Sequence, residues 1–227
     1  MQSRPREISS VVFDLDGTLV DSAEDIIECL QQAFVITGIS LAMPLTRSHI
    51  GPPLTEIIRT VRSGICDESV AAVVDAFRTL YDNGTLQKTV LKNGVSNVLS
   101  KLFSMGIDLY VATNKPIVPT IKILNNYGLD IFVDIVTPDS TVKNNLDKSG
   151  MLAHLLRTRA IDADGCLMVG DTSSDVYAAR NCGIRSVALL DGYGDANSII
   201  AARPDYVIEQ IHDIFSHNII NSNMEVV

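Results

Sequence analysis

Two aspartates stand one residue apart in the stretch Val12-Phe13-Asp14-Leu15-Asp16-Gly17-Thr18-Leu19, directly after a run of apolar residues. Carboxylates held that close repel, so such a pair is neutralised by a cation or divided between a charged and a protonated form. Divided in that way, one can attack phosphorus while the other trades protons with a leaving group and then with water. Gly17 and Thr18 allow the backbone to fold back closely behind the pair. An aspartate at a strand end also serves as a turn or helix cap, so this motif alone does not decide between capping and catalysis.

Two further stretches supply what such chemistry needs. In Leu167-Met168-Val169-Gly170-Asp171-Thr172-Ser173-Ser174-Asp175, Asp171 sits where a strand should stop. Asp175 lies four residues on, in the first turn of the next helix and on the same face. An acid in a first turn is favoured by the helix dipole in any case. Joined with the Asp14 pair, however, these carboxylates form an oxygen-only donor set with no His or Cys nearby, which favours magnesium over a transition metal. In Val111-Ala112-Thr113-Asn114-Lys115-Pro116, Thr113 or Asn114 can cap the helix that Pro116 begins. The Thr113 hydroxyl and the backbone N–H groups at that helix start can equally bind phosphoryl oxygens. Phosphoryl transfer also needs a cation against the phosphate. Lys148 and Lys143 both lie in the segment between the apolar runs at 132–136 and 166–170, and Lys148 immediately precedes a helix start.

The elements that must position these residues follow from the pattern of apolar runs. Residues 9–14 read as a fully buried strand. Helical sequence follows, with Ser22 and Asp25 spaced as a capping box and Gly38 as the stop. A second helix starts near Pro52-Pro53 and ends by Gly64, and a third, which Asp67 can cap, stops at Asn83-Gly84. From residue 90 onward short apolar strands (107–113, 132–136, 166–170, 185–190 and 206–208) alternate with helices. That alternation calls for a parallel sheet covered on both faces. The expectation is an α/β core made of residues 1–20 and 88–227, with an α-helical domain of residues 21–87 inserted after the first strand. All three chemical motifs then fall just past strand C-termini, the edge where such sheets bind ligands, with the insert overhanging it.

The bulk properties narrow the partners. Of the 227 residues, 46% are hydrophobic and 20% charged, values of an ordinary globular protein. A net charge of −9 argues against a nucleic-acid partner, which needs a basic footprint. No apolar run is long enough to cross a bilayer. Residues 1–10 carry Arg4 and Arg6 without an apolar stretch behind them, unlike a secretory signal, and residues 1–8 read as a solvated tail. Cys29, Cys66, Cys166 and Cys182 are widely spaced, so reduced thiols and a cytoplasmic location are expected.

Taken in order, Asp14-Leu15-Asp16-Gly17-Thr18, Thr113-Asn114, Lys148, and Gly170-Asp171 with Asp175 resemble the haloacid dehalogenase superfamily of phosphohydrolases over nearly the whole chain. Leu19-Val20-Asp21-Ser22, Ile50-Gly51-Pro52-Pro53-Leu54, Ala112-Thr113-Asn114-Lys115 and the Ala178-Ala179-Arg180 helix are similar to its phosphoglycolate phosphatases. The resemblance implies a Rossmann-like core, a helical cap over the substrate, magnesium, and hydrolysis of a small phosphorylated metabolite, by a monomer or homodimer. It further implies that Asp14 attacks the phosphoryl group, and that Asp16 protonates the leaving alcohol and then deprotonates water. Thr113, Asn114 and Lys148 would hold the phosphate. The metal would be held by Asp14, the Asp16 backbone carbonyl and Asp171, with Asp175 in support. The subgroup places a proline after its lysine, whereas Lys148 is followed by Ser149-Gly150-Met151, so Lys143 is the alternative. A pyrophosphatase, a sugar phosphomutase of the same superfamily, and a receiver-like phosphoacceptor switch are the other readings. Receiver domains lack a helical insert, and their acceptor follows a later strand.

Overall fold

The computed structural model describes residues 7–140, 146–216 and 219–220. At its centre lies β1 (Ser10–Phe13), every residue of which is buried. Its neighbours are β4 (Asp108–Ala112) on one side and β6 (Cys166–Gly170) on the other. With β5 (Asp134–Val136), β7 (Arg185–Leu189) and β8 (Tyr206–Ile208) they make a six-stranded sheet in the order β5-β4-β1-β6-β7-β8. Each pairing in it is parallel.

The continuous apolar run of β1 is what a strand buried on both faces requires. Val11 and Phe13 enter the larger core with Val98 and Leu102 of α4 (Val95–Ser104) and Ile123 of α5 (Ile117–Asn126). Val12 points the other way, to Met151 and Leu155 of α6 (Lys148–Thr158) and Ala178 of α7 (Ser173–Asn181). The register aligns Phe13 with Val111 and with Val169, so the residues that follow each strand emerge at one edge. From β1 the chain builds β4 and β5 on one side and later β6, β7 and β8 on the other, and that switch makes the crevice that α/β sheets use for ligands.

A two-residue strand, β2 (Val20–Asp21), pairs antiparallel with β3 (Val90–Leu91), and between them run α1 (Ala23–Thr37), α2 (Leu54–Val61) and α3 (Asp67–Asn83). Leu30, Ala33 and Phe34 of α1 and Val70, Val73 and Phe77 of α3 are buried and belong to the core continuous with the sheet. Gly38 ends α1 at φ +69, the left-handed geometry expected of a helix stop. Among the described residues no helix is long and apolar enough to cross a membrane.

Two local expectations are corrected. Ser22 and Asp25 form no capping box: the Ser22 hydroxyl donates to Asp16, and Asp25 Oδ2 accepts from the Lys88 N–H (3.1 Å), the Thr89 N–H (2.6 Å) and the Thr89 hydroxyl (2.7 Å). Partners outside the helix outbid the local pattern, and Asp25 instead fastens the segment that returns from the insert. Asp67 is the first residue of α3, whose cap position is held by Cys66. Replacement Asp25→Ala leaves the buried Thr89 N–H and hydroxyl and the part-buried Lys88 N–H without their acceptor and is expected to cost about 2–3 kcal/mol, read as a lower urea midpoint with an unchanged slope. An unchanged midpoint would show that the return segment does not depend on this carboxylate.

Candidate active site

At the shared edge of β1, β4 and β6 the carboxylates of Asp14, Asp171 and Asp175 converge, with one oxygen from each lying within 4.8 Å of the others. Asp14 is delivered by β1, and its N–H donates to the Val169 carbonyl of β6 (2.9 Å). Asp171 follows β6 directly and is fully buried; its Oδ1 accepts from the Thr18 hydroxyl (2.9 Å) and its Oδ2 from the Tyr193 N–H (2.7 Å). Asp175 divides its two oxygens. Oδ2 accepts from the Thr172 N–H (3.1 Å) and hydroxyl (2.6 Å), closing the first turn of α7. Oδ1 turns inward, where it has no hydrogen bond but faces Lys148 Nζ at 3.0 Å.

Lys148 is the first residue of α6, and only 5% of its surface is exposed. Its ammonium donates to Asp14 Oδ1 (2.6 Å) and to the Ala112 carbonyl (3.0 Å). Burial works against that charge, but Asp14 and Asp175 outweigh it and hold the ammonium above its ordinary range. Three carboxylates against one ammonium leave two negative charges uncompensated in a buried site. Burial, opposed by Lys148 and reinforced by Asp175 and Asp171, pushes the Asp14 carboxyl up to about 8. Burial and Asp175 push Asp171 up to about 6. A hard divalent cation matches both the deficit and the all-oxygen donor set. The packing around the cluster leaves space only where glycine stands: a Cβ on Gly17, itself at φ +87, would meet Asp171 Oδ2 at 2.2 Å, and one on Gly170 would meet Asp175 at 2.3 Å.

Asp16 stands apart from this cluster. Its Oδ1 accepts from the Ser22 hydroxyl, and its Oδ2 pairs with Lys115 Nζ at 3.1 Å. Lys115 also donates to the Tyr81 hydroxyl of α3 at 2.8 Å, joining the sheet edge to the insert. Burial pushes the Tyr81 phenol up to about 12, which keeps its proton in place. Thr113 is buried and its hydroxyl accepts from the Lys115 N–H (3.2 Å), while Asn114 Nδ2 donates to the Gly51 carbonyl of the insert (3.0 Å). Neither caps α5, whose cap position is Pro116. A cavity of about 340 Å³ opens over Asp14, Asp16, Thr113 and Lys115, walled on the insert side by apolar residues such as Ile50, Leu54 and Phe77.

The structure thus gathers Asp14, Asp171, Asp175 and Lys148 into one cluster, and sets Asp16, Thr113 and Asn114 around the adjoining cavity. Lys143 lies outside the described residues. Sequence reasoning assigned no part to Lys115, although it stands inside the Thr113-Asn114-Lys115 stretch, nor to Tyr193, whose flanking Gly192 and Gly194 are the sole signal.

Residues 11–189 match the model of the family described as haloacid dehalogenase-like hydrolase. A protein described as tyrosine-protein kinase PtkA from Mycobacterium tuberculosis is 33% identical over 190 residues, covering 83% of this chain and 64% of that protein. The chain therefore spans just under two thirds of the length of that relative. A phosphoglycolate phosphatase from Vibrio vulnificus is 30% identical over 215 residues, covering 91% of this chain and 94% of that one. Among solved structures, a predicted phosphatase from Clostridium acetobutylicum superposes with a TM-score of 0.82 at 25% identity, over 92% of this chain and 97% of that chain.

The charge deficit has a pH signature. Asp14 and Asp171 titrate higher in the folded chain than in the unfolded one, so the folded chain holds more protons. Metal-free stability is therefore expected to fall as pH rises from about 4 to about 8. Magnesium replaces those protons and should flatten the fall. Melting temperatures across this range in EDTA and in magnesium check it; parallel curves would contradict the deficit.

Proposed function

The chain belongs to the haloacid dehalogenase-like hydrolase family, and on that footing we propose that it is a magnesium-dependent phosphatase of a small phosphoglycolate-like monoester, working through an aspartyl-phosphate on Asp14. The observation that carries this reading is the pairing of two environments around one cavity. A carboxylate in an unbalanced anionic cluster lies beside a second carboxylate that sits outside that cluster and beside the insert.

Asp14, Asp171 and Asp175 would hold the magnesium, together with the Asp16 backbone carbonyl that the family resemblance implies. When bound, the ion draws negative phosphoryl oxygens to the anionic cluster and stabilises charge in the transfer. Lys148 engages Asp14 Oδ1, and no donor among the described residues engages Oδ2, which is left to attack phosphorus. In the first step the Oδ2–P bond forms, the P–O bond to the leaving alcohol breaks, and Asp16 gives that oxygen its proton. In the second, water attacks phosphorus, Asp16 takes the water's proton, and the bond to Asp14 breaks to release inorganic phosphate. Ser22 and Lys115 fix the Asp16 carboxylate for both transfers. The Thr113 hydroxyl and Lys148 hold the phosphoryl oxygens, with Asn114 at the same edge also tying it to Gly51.

We take residues 21–87 as the cap and residues 1–20 and 88–227 as the core, since the insert contributes the apolar wall of the cavity. The substrate class rests on the Vibrio vulnificus relative, which aligns along 94% of its own length. A cytoplasmic location accords with four unpaired cysteines.

Replacement Asp14→Asn is expected to abolish turnover of p-nitrophenyl phosphate, and EDTA to abolish it reversibly. Asp16→Asn should lower kcat about 10²- to 10⁴-fold. Turnover surviving in Asp14→Asn would rule out the covalent route. A release assay comparing phosphoglycolate with pyrophosphate, hexose phosphates and nucleotides tests the substrate class, and a preference for any of the last three would overturn it.

A further inference from the structure

The loop after β7 touches both strands that carry the insert and also the most buried carboxylate of the candidate metal cluster. Tyr193 is its centre. The Tyr193 N–H donates to Asp171 Oδ2 at 2.7 Å. At its other end, the Tyr193 hydroxyl oxygen accepts from the Ser22 N–H (2.8 Å) and the Ala23 N–H (3.1 Å), and the hydroxyl donates to Asp21 Oδ1 (2.8 Å). These are the first donors of α1, and Ser22, at the cap position, makes no side-chain capping bond of its own. A residue some 170 positions away in the chain therefore caps the helix at which the insert begins. Helix starts carry unpaired N–H groups that require such partners.

The same loop reaches the second strand of the ribbon. Lys92, just past β3, donates to the Asp191 carboxylate (2.6 Å), the Asp191 carbonyl (3.0 Å) and the Gly17 carbonyl (2.6 Å). Arg47 of the insert completes the arrangement by pairing with Asp21 and lying 5.4 Å over the Tyr193 ring. The fit is tight around Asp171: a Cβ on Gly192 would meet its side chain at 2.2 Å, and one on Gly194 would meet its carbonyl oxygen at 2.1 Å. A displacement of the Asp171 side chain is therefore passed to the loop backbone rather than absorbed by slack.

We propose that Tyr193 is a positioning residue, clamping with Asp191 and Lys92 the two sides of the β2–β3 ribbon through which the chain enters and leaves the insert, so that occupation of the Asp171 carboxylate by a divalent cation sets the insert and Asp16 in register. The physical route is short. Asp171 accepts from the Tyr193 backbone, the Tyr193 ring carries its hydroxyl to Ser22, and the Ser22 hydroxyl donates to Asp16. The candidate metal carboxylate and the candidate acid–base carboxylate are thus joined through one tyrosine, without passing through the cavity. Burial, with Asp16 and Asp21 nearby, raises the phenol well above its ordinary range, so the hydroxyl keeps the proton that it donates. Catalytic geometry is sensitive at this scale, a misplacement of about 1 Å costing up to about 10²-fold in rate.

The proposal is tested by Tyr193→Phe, which keeps the ring and removes the hydroxyl, with Lys92→Met as an independent second variant. The kinetic arm rests on the phosphatase reading; the exchange arm does not. Amide exchange over residues 17–26 and 88–93 is followed by mass spectrometry with EDTA and with magnesium. In the wild type magnesium should slow exchange in both segments. In Tyr193→Phe that magnesium-dependent difference should vanish for residues 17–26, and in Lys92→Met for residues 88–93. With p-nitrophenyl phosphate, kcat of Tyr193→Phe should fall about 10- to 100-fold while KM stays within about twofold, because the phosphate-holding groups are untouched. A lowered melting temperature with kcat and the magnesium-dependent difference both at wild-type size would overturn the proposal and leave a cap of merely structural worth. Absence of magnesium protection in the wild type would overturn it too. A wild type that protects both segments yet hydrolyses no phosphomonoester would sink the phosphatase reading and leave the clamp standing.

Discussion

Asp14, Asp171 and Asp175 are packed into one buried cluster with Lys148 as their ammonium, and the remaining negative charge must be met by protons or by a cation. Much of the surrounding structure exists to bring these groups together despite their repulsion. Parallel pairing of β1 with β6 sets the first two side by side, the first turn of α7 brings the third, and the start of α6 brings the lysine. Leaving such charges in a protein interior is costly unless they are paired. Strongly perturbed carboxyls of this kind tend to mark reactive sites, and the proposed role of the cluster rests on that deficit.

Asp14 and Asp16 are separated by one residue yet meet different surroundings. Asp14 pairs with Lys148 among two other carboxylates, whereas Asp16, outside that cluster, turns toward Ser22 and Lys115 at the insert side of the cavity. The intervening Leu15 is fully buried in the core. Paired carboxyls that divide attack from proton transfer are told apart by such differences of environment, and the proposed roles of Asp14 and Asp16 rest on this one. The insert takes part in this division. Its α3 supplies Tyr81 to Lys115, its Gly51 carbonyl receives Asn114, and its apolar residues wall the cavity.

Much of the architecture was legible because the β strands are short, largely apolar and, from residue 90 onward, alternate with helices. The strands at 166–170 and 206–208 have the bounds expected, and the others differ by a few residues at their ends. The ribbon of β2 and β3 escaped notice because two-residue strands carry no period. Ser22 and Asp25 were misread because a capping-box spacing is a local pattern, while their partners, Asp16 and Thr89, were settled by the tertiary fold. In the candidate site, the convergence of Asp14, Asp171 and Asp175 could be anticipated from their places after strand ends. Lys148 was harder, since a lysine beside a loop is ordinarily solvated and only the three-dimensional path of α6 brings its ammonium to Asp14. Lys115 and Tyr193 had no such signal. Their partners lie on segments remote in sequence, at Tyr81 and at Asp21 through Ala23.

Family membership and the fold leave the destination of the phosphoryl group as the central question, since the relatives named include both a phosphatase and a protein kinase. The most direct measurement is to mix the protein with a ³²P-labelled phosphomonoester, quench it in acid within the first turnover, and map the label by proteolysis. A magnesium-dependent, hydroxylamine-sensitive label is expected on the peptide carrying Asp14, lost on chelation and released as inorganic phosphate when the quench is delayed. Label on a tyrosine, or turnover with no labelled Asp14 at any quench time, would contradict the aspartyl-phosphate route.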